Sequence, residues 1–311
     1  MPETHLSRCW QPGFPVNVRT TLSVLQMHRS DPCHRLTGDG ALWRTSLMPT
    51  GPVTYRLANT HGLDSVRADA WGPGAEEMIG GLAELLGAGD RPDEFEAGHP
   101  LLRQAARRLG GLRIPRTGLV LEALVPAVLR QKIQSRDAAS SWSLLLLRHG
   151  ATPPGPAPDG MRVPPAPAGW LAVPVWDWRR AGVEPFAVGV IRRVAEHAGR
   201  IEAVAKDTDG DPQALYRALT AIPGVGRWTA AEVGHRALGD ADAVSFGDYH
   251  IPALVGWALA GRKLTDEEVE PFLDRWRPHR HRVVRLLELT PEAWPPRHGP
   301  RLARPEHRHR F

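Results

Sequence analysis

The residues whose types and spacing say most about chemistry lie between positions 211 and 250. A first helix is predicted to end at Pro223, because proline disfavours the helical conformation of the residue before it. Two glycines follow, and a second helix begins near Arg227. The glycines either form a tight turn that can face an anion or permit the close packing of an ordinary helix corner. This pattern predicts a helix–hairpin–helix over 212–237, whose amides can hold a phosphate without reading base sequence. The turn amides concerned are those of Gly224, Val225 and Gly226.

Composition places the chain among globular proteins. Its 311 residues carry 39 Lys+Arg against 34 Asp+Glu, and this net charge of +5 permits a nucleic-acid partner without identifying one. No apolar run reaches the roughly 20 residues of a transmembrane helix, and the N-terminus lacks a signal-peptide pattern. We therefore expect a cytoplasmic protein without a membrane partner, which a nucleic-acid partner such as DNA would place at the nucleoid. Two cysteines are too few for an iron–sulfur cluster or a four-thiolate zinc site.

Hydropathy patterns divide the chain into a β-rich part and a helical part. An extended lead-in over 1–16 precedes alternating runs from residue 18 to 70, and these runs, separated by Gly and Pro turns, predict an antiparallel meander. From Pro100 onward the periodicity is helical, interrupted by a Pro-rich stretch over 151–175 that we expect to be an ordered surface loop. The fold class is therefore α+β. A basic, partly mobile tail is predicted over 294–311.

The chain resembles a known superfamily at the hairpin and just after it. The residues that carry the resemblance are Ile222-Pro223-Gly224-Val225-Gly226-Arg227-Trp228-Thr229-Ala230 and Gly247-Asp248-Tyr249-His250. They resemble the helix–hairpin–helix DNA glycosylases, and within them the 3-methyladenine DNA glycosylase II, or AlkA-like, branch, most specifically over 211–290. The resemblance implies an enzyme that flips a damaged base out of double-stranded DNA and cleaves its N-glycosidic bond. It also implies a monomer that requires no cofactor, with a possible monovalent cation at the hairpin.

The superfamily further implies a two-subdomain helical bundle behind the β-rich domain, with the active-site cleft between the subdomains. The predicted divisions are the N-terminal α+β domain at 17–97, one helical subdomain at 98–123 plus 241–293, and a second helical subdomain at 124–240.

Asp248 matches the catalytic aspartate of the superfamily. From the residues alone, it begins a predicted helix over 249–260 and could serve only as its N-cap. The two roles are compatible, because a helix N-terminus favours the ionised carboxylate. An ionised Asp248 is expected to stabilise the cationic sugar as the base departs, or to orient a water towards it.

Trp228 occupies the position of a lysine in bifunctional relatives, where that lysine forms a Schiff base with the sugar and nicks the strand. The lysines of this chain lie elsewhere, at Lys132, Lys206 and Lys263. We therefore predict a monofunctional enzyme that leaves an abasic site and has no lyase activity. Trp228 is expected to pack on the flipped base, where a cationic alkylpurine would gain cation–π attraction. Filling a helix interface is its alternative role.

Two acids stand where the enterobacterial-type relative has aromatic residues. Glu232 lies one helical turn past Trp228, and Glu288 aligns with a pocket tryptophan. In the pocket they would attract a positively charged base or bind an exocyclic group; otherwise they face solvent. The predicted substrates are alkylated purines of the 3-methyladenine and 7-methylguanine type. The alternatives are hypoxanthine or another lesion, or a non-catalytic protein that binds DNA damage.

Other residues are assigned by the same resemblance. The backbone-binding set is Gly224, Val225, Gly226, Arg227 and Thr229, and the DNA wedge region is Gln131, Lys132 and Ile133.

The basic run between Arg277 and Arg285 is predicted to contact phosphates or to form a solvated helix face. The tryptophans Trp170, Trp176 and Trp178 are predicted to pack in the core.

Overall fold

The computed structural model describes residues 4–207 and 211–296. The predicted tail therefore falls outside the described residues from position 297 onward. Over the described part of the chain, one antiparallel sheet of five strands is present, with the order β1-β5-β4-β3-β2. The strands are β1 (His5–Trp10), β2 (His34–Leu36), β3 (Leu42–Met48), β4 (Gly51–Asn59) and β5 (Val66–Trp71).

Two predictions for the N-terminal part were wrong. Residues 5–10 of the supposed lead-in form the edge strand β1, in which His5 pairs with Trp71 at the end of β5. The alternating run that begins at Val18 is helical in the structure, as α1 (Val18–Leu22). The side chain of Asn17 caps this helix by accepting a hydrogen bond from Thr20 N at 3.0 Å. Val18, Thr21 and Leu22 are buried, a spacing typical of a helix face.

Helices follow the sheet to the end of the described chain. The first two cover the sheet: α2 (Ala75–Gly80) and α3 (Leu82–Leu85). The next eight are α4 (Pro100–Arg108), α5 (Val120–Leu129), α6 (Ser135–His149), α7 (Pro167–Ala172), α8 (Val175–Arg180), α9 (Pro185–Glu196), α10 (Ala198–Lys206) and α11 (Gln213–Thr220). The last are α12 (Arg227–Val233), α13 (Ile251–Val255), α14 (Asp266–Leu273) and α15 (Arg280–Glu288). None of these described helices has the length and apolarity needed to cross a membrane.

The helical part contains two separate apolar cores. One core joins residues 102–112 to residues 244–293, and the other is built mainly from residues 120–237. The predicted boundary between positions 123 and 124 falls inside α5, where it is wrong. Val120 and Leu124 are both fully buried and pack in the second core, so the whole of α5 belongs with the hairpin helices.

The sheet is fastened to the helical bundle through α5 and the Pro-rich loop. Arg44 in β3 and Glu122 in α5 form a buried ion pair at 2.7 Å. Residues 151 and 163 pair with each other, and Arg162 N donates to Pro32 O at 2.9 Å. The Pro-rich stretch is therefore ordered, and its C-terminal part holds α7, a helix that proline content concealed.

The basic run near the C-terminus is mostly buried, so both of its predicted roles were wrong. Arg280 is 8% exposed and binds Asp242 and Asp274, while Arg282 is 2% exposed and pairs with Asp90. Buried guanidinium groups need such partners. These residues bind α15 to the body of the protein. Their carboxylate partners Asp90 and Asp242 lie far away in sequence, so no local pattern indicated them.

The four tryptophans of helices α6–α8 differ in burial, and this difference generates a stability prediction. Trp170 is 1% exposed and stacks with Trp142 and Trp178, with ring centroids 6.1 Å apart in each pair. Trp176, predicted to be in the core, is 68% exposed. We expect Trp170→Ala to lower the free energy of unfolding by about 3–5 kcal/mol, and Trp176→Ala to change it by less than about 0.5 kcal/mol. Urea denaturation measures both; equal losses would contradict this packing.

Candidate active site

The hairpin between α11 and α12 has the predicted tight turn. Gly224 has a φ of +95°, and a Cβ there would lie 2.3 Å from Val190 Cγ2, so only glycine fits. Val225 is buried, and its amide donates to Ile222 O at 2.9 Å. Gly226 is exposed, and no atom lies within 4 Å of the position that its Cβ would occupy. The turn is therefore packed tightly on one side and open on the other.

The open side of the turn presents the N-terminus of α12. In the described chain, no side chain caps this terminus, and its first turn contains no acidic residue. The first amides of a helix lack intrahelical acceptors and carry partial positive charge. The helix continues through a π-helical turn, Gly234–Leu238, and ends at Gly239, where φ is +71°. This terminus can therefore bind an anion such as a phosphate.

Three members of the predicted backbone-binding set have other contacts. The Val225 amide is used inside the turn, as described above. Thr229 is 2% exposed, and its hydroxyl accepts a hydrogen bond from Gln131 Nε2 at 2.8 Å. Arg227 is exposed but forms a two-oxygen ion pair with Glu270 at 2.8 Å. What the hairpin offers freely is its backbone on the Gly226 side.

The predicted wedge region lies beside this hairpin, in the loop after α5. The Gln131 side chain points inward, because its amide also donates to Gly224 O at 2.9 Å. Lys132 is exposed and has a φ of +58°, a conformation that costs energy for a residue with a Cβ. Ile133 is half-buried. Of these three residues, Lys132 is therefore the one that the loop projects towards solvent.

Asp248 lies close to the N-terminal end of helix α12. Its Oδ2 is 3.4 Å from the indole N–H of Trp228, which donates to it, and its Oδ1 accepts from His250 N at 2.8 Å. Both Asp248 and Trp228 are half-buried, so the carboxylate remains accessible. The following helix, α13, begins at Ile251, two residues later than predicted. The fold thus brings together the catalytic candidate and the predicted base-stacking residue.

Glu232 is enclosed, although it lies on the same helix as Trp228. It is 8% exposed, and its carboxylate contacts Arg236 at 3.0 Å, Arg130 at 3.4 Å and Ser245 Oγ at 2.6 Å. Burial acts to raise the pKa of Glu232, but the two guanidinium groups lower it below its ordinary value. The residue is therefore an ionised, fully paired carboxylate.

Glu288 also has a positive partner. Its carboxylate lies 2.9 Å from Arg285, and its side chain is 37% exposed at the end of α15. Arg285 itself is 8% exposed and donates to Ser23 Oγ in the N-terminal domain at 2.5 Å. Each acid is therefore paired with arginine, which offsets the negative charge that was expected to attract a cationic base.

A stacked histidine pair lies behind Glu232. The rings of His235 and His281 are 3.9 Å apart and nearly parallel. Burial lowers the pKa of both well below the ordinary value; Arg236 lowers the pKa of His235 further, and His235 and Arg285 lower that of His281. Both rings are therefore neutral in the folded protein.

Sequence analysis placed Arg285 in a basic run and missed three other residues of this cluster: Arg130, Arg236 and Ser245. Arg236 had a usable signal, since it follows Glu232 by four residues, the spacing of a helical ion pair. The others come from distant elements and had none. Within the described ranges, no three His, Cys, Asp or Glu side chains converge as a metal site would require.

Comparison with solved structures gives the fold. The chain is similar to 3-methyladenine DNA-glycosylase from Archaeoglobus fulgidus, with a TM-score of 0.73 and 18% identity over 90% of this chain and 97% of that one. It is also similar to the 8-oxoguanine glycosylase/lyase of Clostridium acetobutylicum, with a TM-score of 0.68 and 11% identity over 92% and 96%. The chain has the helix–hairpin–helix DNA glycosylase fold. The predicted α+β fold class is thereby confirmed.

Sequence comparison agrees with the AlkA-like branch of that fold. The chain is 30% identical over 213 residues to a probable bifunctional transcriptional activator/DNA repair enzyme AlkA of Mycobacterium tuberculosis. The match covers 63% of this chain but only 39% of that protein. No protein-family model matches the chain.

The difference between the packed side and the open side of this hairpin can be tested by measuring the stability of glycine variants. Gly224→Ala is expected to lower the free energy of unfolding by about 1–3 kcal/mol, because the new Cβ meets Val190 at a left-handed backbone position. Gly226→Ala, at a φ of −97° with open space around it, should change that energy by less than about 1 kcal/mol. Denaturant titration of the matched pair is the measurement, and equal effects would show that the turn is not packed against α9.

The neutral histidine pair predicts how stability depends on pH. In the unfolded chain each histidine binds a proton below about pH 6.5, whereas the buried pair does not. Stability is therefore complete above that pH and falls as the pH drops towards 5, by up to about 1.4 kcal/mol per pH unit for each ring. His281→Gln should flatten this slope, and the exposed His61→Gln should leave it unchanged. Urea denaturation at pH 7, 6 and 5 measures it; identical slopes in the two variants would refute the assignment.

Proposed function

We propose that this protein is a monofunctional DNA N-glycosylase that hydrolyses the bond between a damaged base and its sugar and leaves an abasic site. The observation that carries the proposal is the accessible Asp248 carboxylate beside Trp228, one helix away from an anion-binding hairpin. The similarity to the AlkA of M. tuberculosis supports it, as does the likeness to a 3-methyladenine DNA-glycosylase. The matched region covers only 39% of the M. tuberculosis protein. The activity is therefore proposed from the site in this chain and not from the activity of that protein.

Asp248 is suited to electrostatic work on the sugar. The His250 amide and the Trp228 indole N–H hold its two oxygens in fixed directions. As the glycosidic bond breaks, positive charge develops on the sugar, and a fixed carboxylate stabilises that charge without reorganisation. The base departs with the electrons of the broken bond, so that a cationic alkylpurine leaves as a neutral base. A water then adds to the sugar carbon and releases its proton to solvent.

The absence of lyase activity is proposed from the side chain at position 228. A strand nick requires an amine that attacks the sugar carbon. Trp228 supplies none, and Lys206 and Lys263 lie at the end of α10 and before α14. Lys132 is in the wedge loop, where its charge would meet DNA phosphate or an opened base step.

Alkylated purines are the proposed substrate class. The names of the relatives support this choice, and so does the half-buried indole of Trp228, whose π face attracts a cationic base. Glu232 and Glu288 add little attraction, since arginine neutralises each. Hypoxanthine and other uncharged lesions therefore belong in any substrate panel.

Double-stranded DNA containing a damaged base is the proposed partner, bound by the protein as a monomer. The hairpin would hold one phosphate through the Gly226 side of its turn and the first amides of α12. The family resemblance also implies a monovalent cation at the hairpin, and this cation remains a proposal. The carbonyl oxygens of Pro223 and Gly224 each accept one side-chain hydrogen bond, from Arg193 and Gln131, and this uses one of the two lone pairs of each oxygen.

Base release from damaged DNA tests the proposal. Asp248→Asn keeps the shape of the side chain and removes its charge, so the rate constant of base release should fall by about 10²–10³-fold. Asp266→Asn, at an exposed position in the first turn of α14, is the matched control and should release bases at the wild-type rate. The measurement is single-turnover release of 3-methyladenine, 7-methylguanine and hypoxanthine from duplex DNA.

Three outcomes would contradict the proposal. Equal release by wild type and Asp248→Asn would remove Asp248 from the chemistry, and tight lesion binding without any release would support a non-catalytic damage sensor. A strand nick formed without added base, and lost on mutation of a lysine, would exclude the monofunctional mechanism.

A further inference from the structure

The buried carboxylate of Glu232 stands between the hairpin helix and the loop that carries Asp248. Its Oε1 accepts a hydrogen bond from Ser245 Oγ at 2.6 Å, and Ser245 is itself only 4% exposed. Three residues later, Asp248 N donates to Ser245 O at 3.1 Å. Two consecutive hydrogen bonds therefore connect the Glu232 side chain to the backbone of the catalytic candidate.

The other oxygen of Glu232 is fixed from the opposite direction. Arg236 Nη1 lies 3.0 Å from Oε2 and also donates to the Glu232 carbonyl, while Arg236 Nε donates to Val24 O in the N-terminal domain at 3.1 Å. Arg130, at the end of α5, makes a second ion pair with the same oxygen at 3.4 Å. Three parts of the protein thus hold one carboxylate.

The space around Glu232 is too small for a nucleobase. A cavity of about 30 Å³ lies beside it, lined also by Arg130, Arg236, Glu122 and Arg44. Such a volume admits about one or two water molecules and no purine. Both carboxylate oxygens of Glu232 are already engaged by the protein, so contact with a flipped base would require breaking a buried ion pair.

We propose that Glu232 is a positioning residue, which holds the Asp248 loop through Ser245, and that it does not recognise the base. The arginine pairs keep the carboxylate charged and immobile, and a charged acceptor makes a stronger hydrogen bond to the Ser245 hydroxyl than a neutral one. Small displacements of a catalytic group have large kinetic effects. The catalytic part of this inference rests on the proposed glycosylase function.

The experiment compares three variants. Ser245→Ala removes the last link and leaves the ion pairs intact, whereas Glu232→Gln removes the charge. Glu122→Gln is the matched control, because Glu122 is also a buried carboxylate paired with an arginine, Arg44, but it lies in α5 and its hydrogen bonds go to the N-terminal domain. Ser245→Ala keeps the test valid if the loss of charge at Glu232 prevents folding.

The kinetic readout is single-turnover release of 3-methyladenine, 7-methylguanine and hypoxanthine. For Ser245→Ala and Glu232→Gln we expect the rate constant to fall by about 10–100-fold and by the same factor for each base, with unchanged affinity for duplex containing an abasic-site analogue. Glu122→Gln should release all three bases at the wild-type rate at a temperature where it is folded.

The second readout is amide hydrogen exchange over residues 245–250. Exchange there should be faster in Ser245→Ala and Glu232→Gln than in wild type and Glu122→Gln. Losses that differ between charged and uncharged bases would make Glu232 a base-contacting residue, and unchanged exchange and rates would overturn the proposal. If wild type releases no base, the glycosylase function fails, and exchange alone decides whether Glu232 holds the loop.

Discussion

One buried carboxylate joins the parts of this protein that the chain order keeps apart. Glu232 receives hydrogen bonds or ion pairs from Arg236, Arg130 and Ser245. An ion pair buried in this way contributes little net stability, because desolvation offsets much of the attraction. The contribution of this ion pair is instead to orientation. Because both oxygens of the carboxylate are engaged, α12, the end of α5 and the loop that carries Asp248 are held in one arrangement. The half-buried Asp248 depends on that arrangement for its place beside Trp228.

The hairpin depends on a different constraint, which is steric. Gly224 packs against Val190 so closely that no Cβ can be accommodated, and this contact holds the turn on α9. The opposite side of the turn stays open at Gly226, next to an uncapped helix terminus. Close packing on one side and an open backbone on the other give a rigid turn, which neither glycine would produce alone and which we propose as the phosphate site.

Much of the fold was predictable from local patterns. The sheet strands after residue 40, the helices from 100 onward and the hairpin follow from periodicity and from Gly and Pro positions. The failures have specific causes. The segment 18–22 was assigned as a strand because its buried residues were not recognised as a helical face, and Asn17 then caps it as a helix. Helix α7 was hidden by the surrounding prolines. Arginines in α15 were assigned to the surface because their carboxylate partners are far away in sequence.

The sequence by itself determined the hairpin, the candidate Asp248 and the tryptophan at position 228, since each belongs to a short contiguous run. Only the tertiary structure decided what surrounds them. From its residue type and position, Glu232 was expected to attract a base. In the structure its carboxylate is enclosed and paired, because Arg130 and Ser245 reach it from other elements. The charge that a side chain presents to a ligand depends on its neighbours in space, and a local pattern in one sequence cannot specify those neighbours.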